Sequence, residues 1–173
     1  GLLCGIRTHM DVPDFTDKAS RWHGLTLQPF ISPERHAIWV NVEAPEEDPF
    51  KNHSYINKGE IDAIQTVLNA LIHANGFEEY FKNCKKEEDK EIGIITYYMN
   101  QMKAIRKSLY PNLGKDKWRH FEQHKYENDF QIPFRINTVD RFQGMERNII
   151  IISTVRSTIK IDEKGKEQKN NHY

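Results

Sequence analysis

The chain is predicted to be an α/β domain with a mainly parallel sheet, and three stretches carry that expectation. Ile149 to Ile152 are four consecutive isoleucines bounded by Asn148 and Ser153, too short for a helix and too apolar for a strand with one wet face. Such a run fits the buried central strand of a parallel sheet. "EIGIIT", Glu91 to Thr96, repeats the pattern and leads directly into a helix with Met102, Ile105 and Leu109 on one face, the strand–turn–helix unit of α/β domains. From Ser54, "SYINKGEIDAIQTVLNALIHANG" sets Ile61, Ile64, Leu68, Leu71 and Ile72 at helical spacing, which predicts an amphipathic helix.

In chain order, residues 1–35 are expected to be irregular. The first ten connect to no periodic segment and read as an addition to the natural chain or a remnant of a preceding element. Pro13, Pro29 and Pro33 then punctuate a stretch with Trp22, Leu25, Leu27 and Phe30, expected to wrap onto the surface. His36 to Glu43 alternates as a first strand, and "APEEDP" ends it. Asn57 with Glu60 has the spacing of a capping box at the start of the long helix, with Gly76 as its stop. "FEEYFKNC" is a second short helical piece, and "KKEEDKE" a solvated loop. Residues 110–131 interleave Lys115, Lys117, Arg119 and Lys125 with Trp118, Phe121 and Tyr126. That pattern fits either a single-strand contact or, preferably, a wet helix pinned by two aromatics. His120 and His124 have metal-ligand spacing without acidic or cysteine partners, so no zinc site is expected. "RINTV" precedes a polar, glycine-containing bend and then the isoleucine strand. "IKIDE", Ile159 to Glu163, is interrupted by Lys160 and discounted as a strand, leaving 158–173 as a polar tail.

The bend concentrates Asp140, Arg141, Gln143, Gly144, Glu146 and Arg147 between two strands, and in open α/β sheets ligands bind beside strand ends. The string Thr138-Val139-Asp140-x-Phe142-Gln143-Gly144-x-Glu146, an apolar strand, and then Ser153-x-Val155-Arg156 resembles motif V of superfamily 1 helicases, in the branch related to the RNA helicase of nonsense-mediated decay. Thr96, Tyr98 and Gln101 match that family's Thr-Pro-Tyr-x-x-Gln, with Tyr97 at the proline position and a correspondingly more mobile loop. Ser54, Asn57 and Glu60 are similar to what precedes the long helix in the same branch.

The resemblance covers roughly residues 36–157 and implies a three-layer RecA-like domain, the second of two in an ATP-dependent helicase, cut short before the last helicase motif. It implies ATP and Mg2+ as cofactors of the complete protein, neither bound tightly by this piece. Single-stranded nucleic acid and a missing N-terminal RecA-like domain are the implied partners. Glu146 corresponds to the motif V glutamate that contacts the nucleotide, and a carboxylate there can accept from both ribose hydroxyls. Gln143 and Gly144 belong to the same contact, Gly144 by letting the backbone turn with positive φ. Thr138, Val139 and Asp140 correspond to the contact with the nucleic-acid backbone. Thr96, Tyr98 and Gln101 are expected to join it, amides meeting phosphates and a tyrosine stacking. Arg141 and Arg147 are read as phosphate neutralisers or surface arginines, Phe142 as a core anchor.

Bulk properties bound these expectations. The 173 residues suit one domain. Lys and Arg number 25, as do Asp and Glu, so a nucleic-acid footprint has to be local. Mean hydropathy is −0.76, polar enough for solvated insertions or tails. Cys4 and Cys84 stand in unrelated contexts, against a disulfide framework and in favour of a reducing cytoplasm. No apolar run reaches the roughly 20 residues of a membrane span, and no signal peptide starts the chain. No G-x-x-x-x-G-K-[ST] phosphate loop occurs, so the chain is not expected to turn over ATP alone. The rival from another class is a non-catalytic RecA-like scaffold or interaction domain.

Overall fold

The computed structural model describes residues 2–6, 23–114, 130–156, 159–161 and 167–169. Its main sheet has five strands, β1 (Leu2–Ile6), β2 (Ala37–Val40), β3 (Ile92–Thr96), β4 (Phe134–Thr138) and β5 (Ile149–Ser153), in the order β2-β1-β5-β3-β4. β3 lies parallel to both β4 and β5, in register from Ile92 with Phe134 and Ile149 to Thr96 with Thr138 and Ser153. β1 runs antiparallel to β5 on one side and β2 on the other, which leaves β2 pointing the same way as β5. The three strands β5, β3 and β4 form the expected parallel sheet, and β1 adds two antiparallel pairings to it.

α1 (Lys58–Ile72), α2 (Phe77–Lys82) and α3 (Met99–Leu109) cover one face of the sheet. Ile64, Leu68 and Leu71 of α1 and Met102, Ile105 and Leu109 of α3 pack with Ile92, Ile94, Ile136, Ile149 and Ile151 in one core. The alternate residues Ile95, Ile150 and Ile152 are only half-buried. Among the described residues, the other face carries the four-residue α4 (Val139–Phe142) and the segment that follows it. Phe142 is buried there as the expected anchor. A Cβ on Gly93 would stand 2.8 Å from its ring and 3.4 Å from Arg147 Cγ. Among the described residues, the isoleucine strand is thus sealed on its helical side and only half-covered on the other.

Residues 1–35 are not uniformly irregular. Leu2–Ile6 forms a strand between β2 and β5, with Leu2 opposite Ser153 and Ile6 opposite Ile149. Its partner β5 is remote in sequence and it contains a glycine, so no local period reveals it. Farther on, Leu25 and Ile31 enter the core while Phe30 stays 64% exposed. The polar tail also needs correction. β6 (Ile159–Ile161) and β7 (Glu167–Lys169) pair antiparallel as a separate ladder. Lys160 occupies the alternate position of a period-two strand instead of interrupting one. Gly76, at φ 87, caps α2 and does not stop α1, which ends at Ile72 with His73 as its C-cap. Trp22, the aromatic and cationic run 115–129 and the histidines within it lie outside the described residues.

Arginines close one edge of the sheet and one end of its strands. At the edge strand β4, Arg106 of α3 donates to the Ile136 carbonyl from Nε at 3.2 Å and Nη2 at 2.7 Å, masking a free acceptor. At the N-terminal end of β3, Glu91 accepts from Arg147 at 2.6 and 2.9 Å and from Arg135 at 3.3 Å. Arg147 is therefore a buried ion-pair partner and neither a phosphate neutraliser nor a surface arginine. A guanidinium taken out of water requires such pairing.

Candidate functional site

The parallel register brings Thr138, Thr96 and Ser153 side by side at the C-terminal ends of β4, β3 and β5. The segments that follow, the Tyr97–Tyr98 turn into α3 and Val139–Asp140 at the start of α4, therefore leave the sheet together, as the parallel arrangement requires. Val139 and Asp140 are exposed, Tyr97 is 60% exposed and Tyr98 half-buried. Thr138 is nearly covered, and Thr96 and Gln101 are fully so. The Thr96 hydroxyl has no hydrogen-bond partner among the described residues.

Gln101 sits at the centre of a buried polar network. Its Oε1 accepts from the Asn57 N–H at 2.9 Å, and its Nε2 donates to the Asn57 carbonyl at 3.2 Å and to Ser153 Oγ at 3.0 Å. Asn57 caps α1 as expected, its Oδ1 accepting from Glu60 N at 3.0 Å. Only that half of the capping box forms, because Gln101 takes the Asn57 N–H. The Glu60 carboxylate turns instead to β5. It accepts from Ser153 Oγ at 2.5 Å and from Val155 N at 3.0 and 3.1 Å. Asn57 Nδ2 donates to the Val155 carbonyl at 3.2 Å, so both polar groups of one peptide residue are gripped.

That grip has a physical purpose. Val155 has φ 71 and is fully buried, and a left-handed β-branched residue costs about 1–3 kcal/mol. The clamp offsets the strain and turns the chain so that Arg156 lies 5.2 Å over the Tyr55 ring, with a 3.4 Å ion pair to Glu46. Tyr55 in turn meets Tyr98 edge-on at 5.4 Å. A cation–aromatic ladder thus flanks the hydroxyl row. Tyr55, Ser153, Val155 and Arg156 were assigned no role from sequence, although Ser153-x-Val155-Arg156 is part of the matched string.

The nucleotide candidates lie elsewhere. Gln143, Gly144 and Glu146 are all exposed on the segment that crosses from α4 to the start of β5. Gly144 has φ 80 with nothing near its missing Cβ, room for a ligand to approach. The Glu146 carbonyl accepts from Arg147 at 2.6 Å, and Arg147 reaches Glu91 at the N-terminal edge. Glu146 and Thr138 therefore stand toward opposite ends of the sheet. Between them, Ile95, Val139, Asp140, Phe142 and Gln143 line a cleft of about 280 Å3 on the open face. No group of three or more His, Cys, Asp or Glu among the described residues is arranged to hold a metal ion. No helix among them is long and apolar enough to cross a membrane.

Comparison with known proteins identifies the family. A family model described as an AAA domain matches residues 9–171. Putative helicase MOV-10 of Gallus gallus is 29% identical over 129 residues, 69% of this chain and 11% of that protein. Probable helicase senataxin of Homo sapiens is 33% identical over 106 residues, 61% of this chain and 3% of that protein. ATP-dependent helicase upf1 of Schizosaccharomyces pombe is 25% identical over 130 residues, 75% of this chain and 12% of that protein. The chain spans about a tenth of the length of the first relatives it matches. With the model covering nearly its whole length, this chain belongs to the AAA domain family, in the branch of superfamily 1 helicases that includes the upf1 helicase.

Proposed function

We propose that the chain is the second RecA-like domain of an ATP-dependent superfamily 1 helicase or translocase, gripping a single strand of nucleic acid at the C-terminal edge of its sheet and contributing one wall of a nucleotide cleft shared with another RecA-like domain. The observation that carries this is the register row Thr138–Thr96–Ser153, from which both candidate strand-contacting turns emerge together. Thr138, Val139 and Asp140 meet the sugar–phosphate backbone, and Tyr98 offers an aromatic face, an arrangement with little sequence preference. Thr96 and Gln101, being buried, hold these turns in place.

Glu146 supports a ribose contact, with Gln143 beside it and Gly144 leaving the approach open. These residues fit one side of a nucleotide and no more, since nothing in the 173 residues supplies a phosphate loop. Magnesium and ATP belong to the complete protein, where hydrolysis drives closing and opening of the two domains. In this chain, Glu146 and the hydroxyl row stand at opposite ends of α4 and the crossover, a short path by which movement at the nucleotide reaches the strand.

Fluorescence anisotropy with short labelled single strands at two salt concentrations tests the strand contact. Binding should fall steeply with salt, and Tyr98→Ala and Thr138→Val should each weaken it about fivefold or more. Unchanged affinity in both variants removes the edge from the strand-binding surface.

A further inference from the structure

The loop between β2 and α1 has a construction that the strand contact described above does not use. Its base is closed by two backbone hydrogen bonds, Glu47 N–H to the Ile56 carbonyl at 2.7 Å and the reverse at 2.8 Å. Within it, Asp48 accepts from Asn52 N at 3.1 Å and His53 N at 2.9 Å, and Asn52 Oδ1 accepts from Ser54 N at 3.2 Å. Lys51 and His53 are held at φ 50 and 57, left-handed conformations that persist only where the surroundings impose them. A loop fastened this firmly nonetheless presents Phe50 69% exposed at its tip.

One exposed aromatic is ordinary; its position is not. Asn100, in the first turn of α3, donates from Nδ2 to Asn52 Oδ1 at 3.2 Å and to the Ser54 carbonyl at 2.8 Å, and its N–H donates to Ser54 Oγ at 2.9 Å. These bonds dock the loop beside the Tyr97–Met99 turn, where Tyr97 is 60% and Met99 37% exposed. The charges are sorted as well. Glu46 pairs with Arg156, Glu47 with Lys58 at 2.9 Å, and Asp48 caps the backbone. The Lys51 and His53 side chains have no hydrogen-bond or ion-pair partner among the described residues. The acids Glu46, Glu47 and Asp48 are thus engaged, and Lys51 stands next to an exposed ring.

We propose that the Asp48–Tyr55 loop is a second contact for the unpaired strand, Phe50 stacking on a base beyond Tyr98 and Lys51 meeting a neighbouring phosphate. Interleaved aromatic and cationic groups on a fixed scaffold are how proteins hold single strands without reading sequence. The proposal rests on the C-terminal edge being the strand-binding surface. It extends that surface from the β3–β4 side to the loop over β2 and α1, with Asn100 as the joint.

The test is anisotropy of fluorescein-labelled oligo-dT and oligo-U of about 12 nucleotides with the 173-residue chain and four variants. Phe50→Ala should weaken binding about five- to tenfold, and Phe50→Trp should restore it to within about twofold. Lys51→Ala should lower the slope of log affinity against log salt by about 1. Thr138→Val separates the two levels of inference. If Thr138→Val weakens binding and Phe50→Ala does not, the loop proposal is overturned while the edge stands, and Phe50 is left to a protein partner. If the chain binds neither oligonucleotide, both fall.

Discussion

Glu60 shows how a residue whose place is visible in sequence can have an invisible task. Spacing identifies it as the third residue after an N-cap, and the structure gives Asn57 that capping role. The partners of its carboxylate, Ser153 and Val155, lie 93 and 95 residues away, beyond any local pattern. Replacing it with alanine leaves the buried Val155 N–H and Ser153 hydroxyl without their acceptor at a backbone position already under strain. Glu60→Ala is expected to destabilise the chain by about 3 kcal/mol and Glu60→Gln by about 1 kcal/mol, read as urea midpoints at unchanged slope. Equal midpoints in all three proteins would show that the turn at Val155 stands without the clamp. The candidate site was legible to the same limited degree. Thr96 and Thr138 do stand together at strand ends, as the two apolar runs that precede them imply for a parallel sheet. Which of the motif residues are accessible was not legible: Thr96 and Gln101 look like surface positions at a helix start, yet both are fully buried, Gln101 through bonds to Asn57 and Ser153 that are remote in sequence.

Among the elements, the loop from His23 to His36 carries a pH dependence. His23 is 5% exposed, its Nδ1 accepting from Leu25 N at 3.2 Å while Nε2 lies 3.2 Å from the Arg35 carbonyl. The neutral Nε2–H tautomer satisfies both bonds, and a second proton on Nδ1 would face the Leu25 N–H. Burial lowers its pKa from 6.5, the Arg35 carbonyl opposes that, and the charge of His36, whose ring is 5.7 Å away, adds to it. The unfolded chain then takes up the proton first. Stability from His23 is fully present above about pH 6.5 and is lost as pH falls toward its lower folded value. Urea midpoints should drop between about pH 7.5 and pH 5.5 in the wild type and less so in His23→Gln; parallel curves would remove His23 as the cause. Elements were the most legible level, and for a physical reason. α1, α3, β3 and β5 each carry their own period or apolar run, whereas β1 and the β6–β7 ladder are short and defined by pairing, which no single segment displays.

For the molecule as a whole, among the described residues the sheet is sealed by helices on one side and only partly by α4 on the other. The chain alone is expected to show no steady-state ATPase activity, with or without added oligonucleotide, since the phosphate-loop amides and lysine have no counterpart in its 173 residues. Activity that co-purifies with the chain and is abolished by Glu146→Ala would refute this. The antiparallel β1 has a further consequence, in time instead of space. Leu2 pairs with Ser153, so the first described strand to leave the ribosome waits for the last strand of its sheet. At about 5–20 residues per second that interval is on the order of ten seconds, during which β1 has no β5 to pair with. Closure of the sheet is consequently a late and highly non-local event, and the nascent chain passes through a stage in which an apolar strand is open to chaperones or to another chain before its own partner exists.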